Sequence, residues 1–169
     1  VMLSSAIRPL RSPATLVQFV KWGIAATALA AVDALRGRWW HALLLSQASS
    51  AAIVRVSSPN QLARDYLFPN SSGIFRPLWT YEAEKKGSRV TFYFYSTNCE
   101  TFKRPEGYPV QANSWDAMNW PLYVVWDDYQ ADFVRRAVGE GASICVAGPI
   151  SFSSSSRDLA TIPTKAAAV

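Results

Sequence analysis

Two adjacent carboxylates, Asp127 and Asp128, follow a short apolar run at 122–126 (LYVVW) and open a stretch with helical spacing. A carboxylate held at the end of a buried strand is well placed to act as a general base, because the strand fixes it while its tip stays open to a ligand. The same pair fits a second role, since carboxylates that open a helix satisfy its unpaired N–H groups. Upstream, residues 96–121 (STNCETFKRPEGYPVQANSWDAMNWP) set Tyr108, Trp115 and Trp120 among Asn98, Gln111, Asn113 and Asn119. A connection this long and turn-rich inside a compact domain is usually functional or disordered. Flat rings beside amides suit a sugar: a ring stacks on the apolar face of a pyranose while the amides bond its hydroxyls. The alternative is a loop whose tryptophans cover a sheet edge.

Other chemistries lack their residues. There is no G-x-G-x-x-G after a strand and no G-x-x-x-x-G-K-[ST], so common dinucleotide and P-loop binding have no support. No G-x-S-x-G elbow occurs. A lone His41 and the absence of a Cys/His cluster argue against zinc, and His41 reads as structural. Neither a metal nor a cofactor is expected. Cys99 and Cys145 do not make a disulfide framework, and Cys145 falls in an expected core strand, so a reduced cytosolic thiol is expected.

The elements that would position these residues can be read from the pattern. Residues 121–152 read as strand, helix, strand and a Gly-Pro exit. The run at 122–126 has the β-branched and aromatic content of a strand buried on both faces. Tyr129, Phe133 and Ala137, widened by Val134 and Val138, form an apolar stripe, with Asp132, Arg135 and Arg136 facing away. Gly139 and Gly141 offer a stop, and 143–147 (SICVA) reads as a second buried strand. A similar unit precedes it: a strand at 63–68, a helix at about 75–86 with Pro77 in its first turn, and a strand at 89–95 with Val90, Phe92 and Phe94 on one face. Two apolar strands joined by one amphipathic helix are most simply parallel. The fold class is therefore α/β: Rossmann-like, a mostly parallel sheet with flanking helices and a helical N-terminal extension. Ligands in such sheets collect beyond the carboxyl ends of the strands. The tips are Asn70, Ser71 and Ser72; then Ser96, Thr97 and Asn98; then Trp126, Asp127 and Asp128; and last Gly148 with Pro149. Asp127 and Asp128 are the catalytic candidates. Asn70, Ser71, Ser72, Ser96, Asn98, Asn113, Trp115, Trp120 and Trp126 are the substrate-binding candidates.

With 169 residues, half of them hydrophobic, and a mean hydropathy of +0.03, the chain suits one packed domain and not a disordered tail. The net charge of +5 is concentrated near the start, where Arg8, Arg11, Lys21, Arg36 and Arg38 face only Asp33. Such a patch could meet anionic lipid or phosphate-bearing substrates, or be a solvated face. Residues 15–32 (TLVQFVKWGIAATALAAV) approach the length of a membrane span, but Lys21 interrupts them. They read as a helix that is buried, with a membrane surface as the alternative. Gly37 ends it, and Arg38-Trp39-Trp40-His41 opens another helix to about residue 52. The expected division is a helical segment at 1–60, a Rossmann-like core at 61–150, and a linker at 151–169. The last residues, 165–169, look like a strand cut off at its start, and Val1 precedes Met2, so a fragment of a longer protein is expected.

WDDYQADFVRRAVGEGASICVAGPISF resembles the end of the N-terminal half of GT-B glycosyltransferases and related sugar-nucleotide epimerases, where a helix, a strand and a Gly-(Asn)-Pro turn lead into an interdomain linker. More closely, YLFPNSSGIFRPLWTYEAEKKGS, FYFYSTN and NSWDAMNWPLYVVWDDYQADFVRRA, with VAGPISF, resemble bacterial surface-polysaccharide biosynthesis proteins described by a PFTS motif. The likeness covers about residues 65–152. It implies the acceptor-side, N-terminal half of a GT-B-like glycosyltransferase of O-antigen or capsule type. The nucleotide-sugar donor would bind only through a C-terminal domain beyond Val169, and this piece alone would be inactive. The turn here reads Gly148-Pro149-Ile150 without the epimerases' Asn, so the likeness transfers no catalytic residue. The expected partner is a carbohydrate acceptor, with a peripheral membrane contact and no nucleic acid. The expected location is the cytoplasm, on the inner face of the plasma membrane where that contact forms. The competing class is a non-catalytic carbohydrate-binding or membrane-scaffolding module.

Overall fold

Among the described residues, four short strands form one sheet in sequence order, β1 (Asp65–Pro69), β2 (Arg89–Tyr93), β3 (Tyr123–Val125) and β4 (Ile144–Val146), and every neighbouring pair is parallel. The computed structural model describes residues 7–69, 75–94, 107 and 115–148. Helix α3 (Leu78–Lys85) links β1 to β2, and α4 (Asp128–Val138) links β3 to β4. Right-handed crossovers between strands laid down in order place the linking helices on one face of the sheet. Strand alternation matches this placement. Tyr66, Phe68, Val90, Phe92, Tyr123 and Val125 are buried, while Asp65, Leu67 and Arg89 are exposed on the opposite face. The buried side chains form one core with Trp79 and Ala83 of α3 and Ala131, Phe133 and Val134 of α4. Trp79 meets Tyr66 edge-on at 4.9 Å, and Phe94 meets Phe133 edge-on at 6.1 Å. The α/β, Rossmann-like expectation holds.

Both linking helices begin and end where local chemistry requires. Pro77 has extended backbone and precedes α3 as its cap residue, so it does not enter the first turn as expected. Asp127 caps α4, its carboxylate accepting the Gln130 N–H at 2.9 Å. Arg135 and Arg136 fall in the last turn, and Gly139, at φ +113°, donates its N–H to Arg135 O at 2.8 Å to close the helix. The buried face of α4 is Gln130, Ala131, Phe133 and Val134, flanked by Ala137 and Val138. Tyr129 departs from the expected stripe and is 75% exposed. It lies just outside the buried arc of α4, beyond Phe133, while Gln130 and Ala131 of the same turn face the core. β4 departs too. Only Ile144 packs against the core, while Cys145 and Val146 are exposed, because among the described residues β4 is the edge strand, with β3 as its one neighbour.

The N-terminal helices form a hairpin. α1 (Pro13–Leu35) turns at Gly37, whose φ of +76° reverses the chain, into α2 (Trp40–Val56). Asp33 is buried between them and bonds His41 Nδ1 at 2.5 Å, which gives His41 the structural part expected of it. The C-terminal half of α2 docks on α3. Ala51 and Val54 enter the core, Arg55 pairs with Glu82 at 3.0 Å, and Lys86 Nζ donates to Ser57 O at 2.5 Å. Among the described elements α1 packs only on α2. Its expected burial therefore fails: Ala30 and Asp33 alone are buried.

Candidate functional site

The carboxyl edge of the sheet gathers part of the expected site. At the tip of β3, Trp126 is half-buried and its backbone N–H donates to Gln130 Oε1 at 2.8 Å. Its indole Nε1 is sealed from solvent with no acceptor among the described residues. Asp127 follows as the cap of α4, and Asp128 is exposed beside it. Trp115, in a short 3-10 turn (Trp115–Ala117), stacks on Phe94 at 6.1 Å and meets Phe133 edge-on at 5.1 Å, which places it half-buried at the same edge. Trp120 is elsewhere. It is 5% exposed, stacked on Phe92 at 5.0 Å and tilted on Phe68 at 4.9 Å, as a ring that covers the sheet would be. Asn70, Ser71, Ser72, Ser96, Asn98 and Asn113 lie outside the described residues.

Sequence reasoning missed two features. Tyr129 presents an exposed ring next to Trp126 and Asp128 at the strand tip, a flat apolar platform beside acceptors. Helical spacing assigned it to the core, so its only signal was its position one turn ahead of Phe133. The second feature is on the exposed face of the sheet. An open groove of about 770 Å³ is lined there by Asp65, Leu67, Arg89, Thr91, Leu122 and Val124, and none of the expected site residues borders it. Arg89 Nε bonds Asp65 Oδ1 at 2.5 Å across it and holds that carboxyl below the ordinary aspartate range. The alternation of β1 and β2 foreshadowed this polar row.

A third cluster looks chemical and is saturated. The Arg76 guanidinium lies 3.8 Å over the Tyr81 ring, donates to Thr80 Oγ1 at 2.9 Å and pairs with Glu84. Asn119 Nδ2 donates to Tyr81 Oη at 3.3 Å. An arginine bonded on these sides fastens the start of α3 and has little left for an anion. Among the described residues, no three His, Cys, Asp or Glu side chains are placed to hold a metal ion.

Residues 22–169, which include most of α1 and the whole sheet, match the family described as polysaccharide biosynthesis PFTS motif protein. The chain belongs to this family. Its process is polysaccharide biosynthesis, and the family match covers the strand tips and the groove alike. No curated protein and no solved structure matches the chain.

Proposed function

We propose that the chain is the acceptor-binding side of a glycosyltransferase-like protein in surface-polysaccharide assembly, of O-antigen or capsule type. The supporting observation is the carboxyl edge of the parallel sheet, where Trp126, Asp128 and the exposed Tyr129 ring follow β3 and Trp115 packs on Phe94 beyond β2 and on Phe133 of α4. Rings and acceptors at strand tips fit a sugar, whose apolar face stacks while its hydroxyls are bonded. In this reading the acceptor lies across α4's first turn. Trp120 supports the floor from within the core. The nucleotide-sugar donor belongs to a second α/β unit, which would stabilise the departing diphosphate. The chain works in the cytoplasm.

The test is a titration with oligosaccharide acceptors followed by tyrosine and tryptophan resonances or fluorescence. Weak, saturable binding is expected, and Tyr129→Ala should reduce it several-fold with unchanged folding. The isolated chain should show no nucleotide-sugar turnover. Acceptor binding that ignores Tyr129→Ala and Asp128→Asn would move the site elsewhere. One observation favours a second reading, a non-catalytic carbohydrate-binding module: Asp127 already spends a carboxylate oxygen on the Gln130 N–H. Steady release of nucleoside diphosphate, lost in Asp127→Ala, would overturn that reading and assign Asp127 as the base.

A further inference from the structure

The tip of the α1–α2 hairpin carries large apolar side chains with no cover among the described residues. Leu35 is 90% exposed, Trp40 74%, Leu43 70% and Trp39 61%, and an open depression of about 470 Å³ lies between Gly37, the two tryptophans and Leu43. The outward face of α1 continues this surface through Val17, Val20, Ile24 and Leu35, all exposed and spaced three, four and eleven residues apart. Soluble proteins rarely leave so continuous an apolar surface bare. Its rim is cationic. Lys21, Arg36 and Arg38 are exposed along it, and Asp33 is the one acidic residue in residues 1–60. Asp33 is turned inward onto His41, so among the described residues no carboxylate is paired with Arg36 or Arg38 at the tip.

We propose that the α1–α2 hairpin docks the protein on an anionic lipid bilayer, with the outward face of α1 and the Trp39–Trp40 tip in the interface and Arg36 and Arg38 on lipid phosphates. Indole rings favour the interface because one edge is apolar and the N–H is polar, and arginines there sit at the depth of the phosphates. A second copy of the chain fits this surface poorly. A two-fold contact sets a patch against itself, and Arg36, Arg38 and Lys21 would then meet cations with no acid on the patch. Crossing the bilayer fits poorly too, although α1, at 23 residues, is long and apolar enough by length and composition. Its inward side is packed on α2, α2 is fastened to α3 through Arg55–Glu82 and Lys86–Ser57, and a crossing would carry the Lys21 ammonium into hydrocarbon. The hairpin therefore lies on the membrane, and the strand tips are carried at a fixed distance from it by α2 and α3.

The test is co-sedimentation of the full chain with vesicles of phosphatidylcholine, with and without phosphatidylglycerol. Binding is expected only to the anionic vesicles, falling as salt rises. Arg36→Glu with Arg38→Glu should weaken it at least about tenfold, and Trp39→Ser with Trp40→Ser should do the same with an unchanged circular dichroism spectrum. These four residues are exposed, so the variants keep the core. Absence of binding, or equal binding to neutral and anionic vesicles, overturns the proposal. So does resistance to alkaline carbonate extraction, which would mean that α1 crosses. A dimer in lipid-free solution that Ile24→Lys converts to monomer, with vesicle binding retained by that variant's charge-reversed partner Arg36→Glu/Arg38→Glu, would assign the surface to a second copy and overturn it as well.

Discussion

Asp127 holds the Gln130 N–H with one carboxylate oxygen, and that bond decides what its replacement does to the fold. Asp127→Ala should cost about 0.5–2 kcal/mol in urea unfolding, while Asp127→Asn, which keeps an accepting oxygen, should recover most of it. Recovery by Asn of stability without recovery of acceptor binding would show that the charge itself serves the site. Tyr129, three-quarters exposed, should behave in the opposite way: its replacement by Ala leaves stability within about 0.5 kcal/mol and is felt only in binding. The carboxylate pair was legible in the sequence because capping is local chemistry, set by two or three neighbours. The exposure of Tyr129 was not. Spacing of four puts it on the Phe133 side of α4, but Phe133 is itself the margin of a buried arc centred on Gln130, Val134 and Ala137, and Tyr129 falls just beyond it.

At the scale of elements, the two strand–helix–strand units were legible because alternation in β2 and the stripe of α4 each record a surface that is buried on one side. α1 was not, because a helix apolar on nearly every side carries no direction in its spacing; whether such a helix is buried depends on what packs around it, and among the described elements only α2 does. β4 was misread for a related reason. Short apolar runs look alike in the centre and at the edge of a sheet, and the edge leaves Cys145 open to solvent. The end of α4 offers a sharper test. Gly139 sits at φ +113° and ψ 163°, a region nearly closed to residues with a Cβ, although nothing crowds the position itself. Gly139→Ala should therefore destabilise by about 1–3 kcal/mol from backbone strain alone. Gly141, with an ordinary backbone, should accept Ala with little change in the unfolding midpoint.

Across the whole molecule, charges at the joints between layers set how stability follows pH. Arg55, from α2, bonds Glu82 of α3, and Lys85 adds to it; together they hold the Glu82 carboxyl below the ordinary glutamate range. A depressed folded value means that the stabilisation is present above the unfolded value, about 4.3, and is lost as pH falls through the folded one. Asp65, paired with Arg89 on the open face, shifts in the same direction. The alkaline side has a different source. Tyr123 is fully buried, and burial raises its phenol above the ordinary value, although the Trp120 N–H that bonds Oη partly opposes the shift. A raised folded value gives stability that is complete below the unfolded value, about 10, and disappears as pH climbs past it, because the unfolded tyrosine ionises first. Urea midpoints measured between about pH 3 and pH 11 should thus show a plateau with a falling arm at each end. Arg55→Ala should lower the plateau and flatten the acid arm, since the Glu82 shift goes with its largest cause. Tyr123→Phe should flatten the alkaline arm while lowering the plateau by roughly 1 kcal/mol through the lost Trp120 hydrogen bond. An alkaline arm that persists unchanged in Tyr123→Phe would trace the loss to another group and refute the assignment to this phenol.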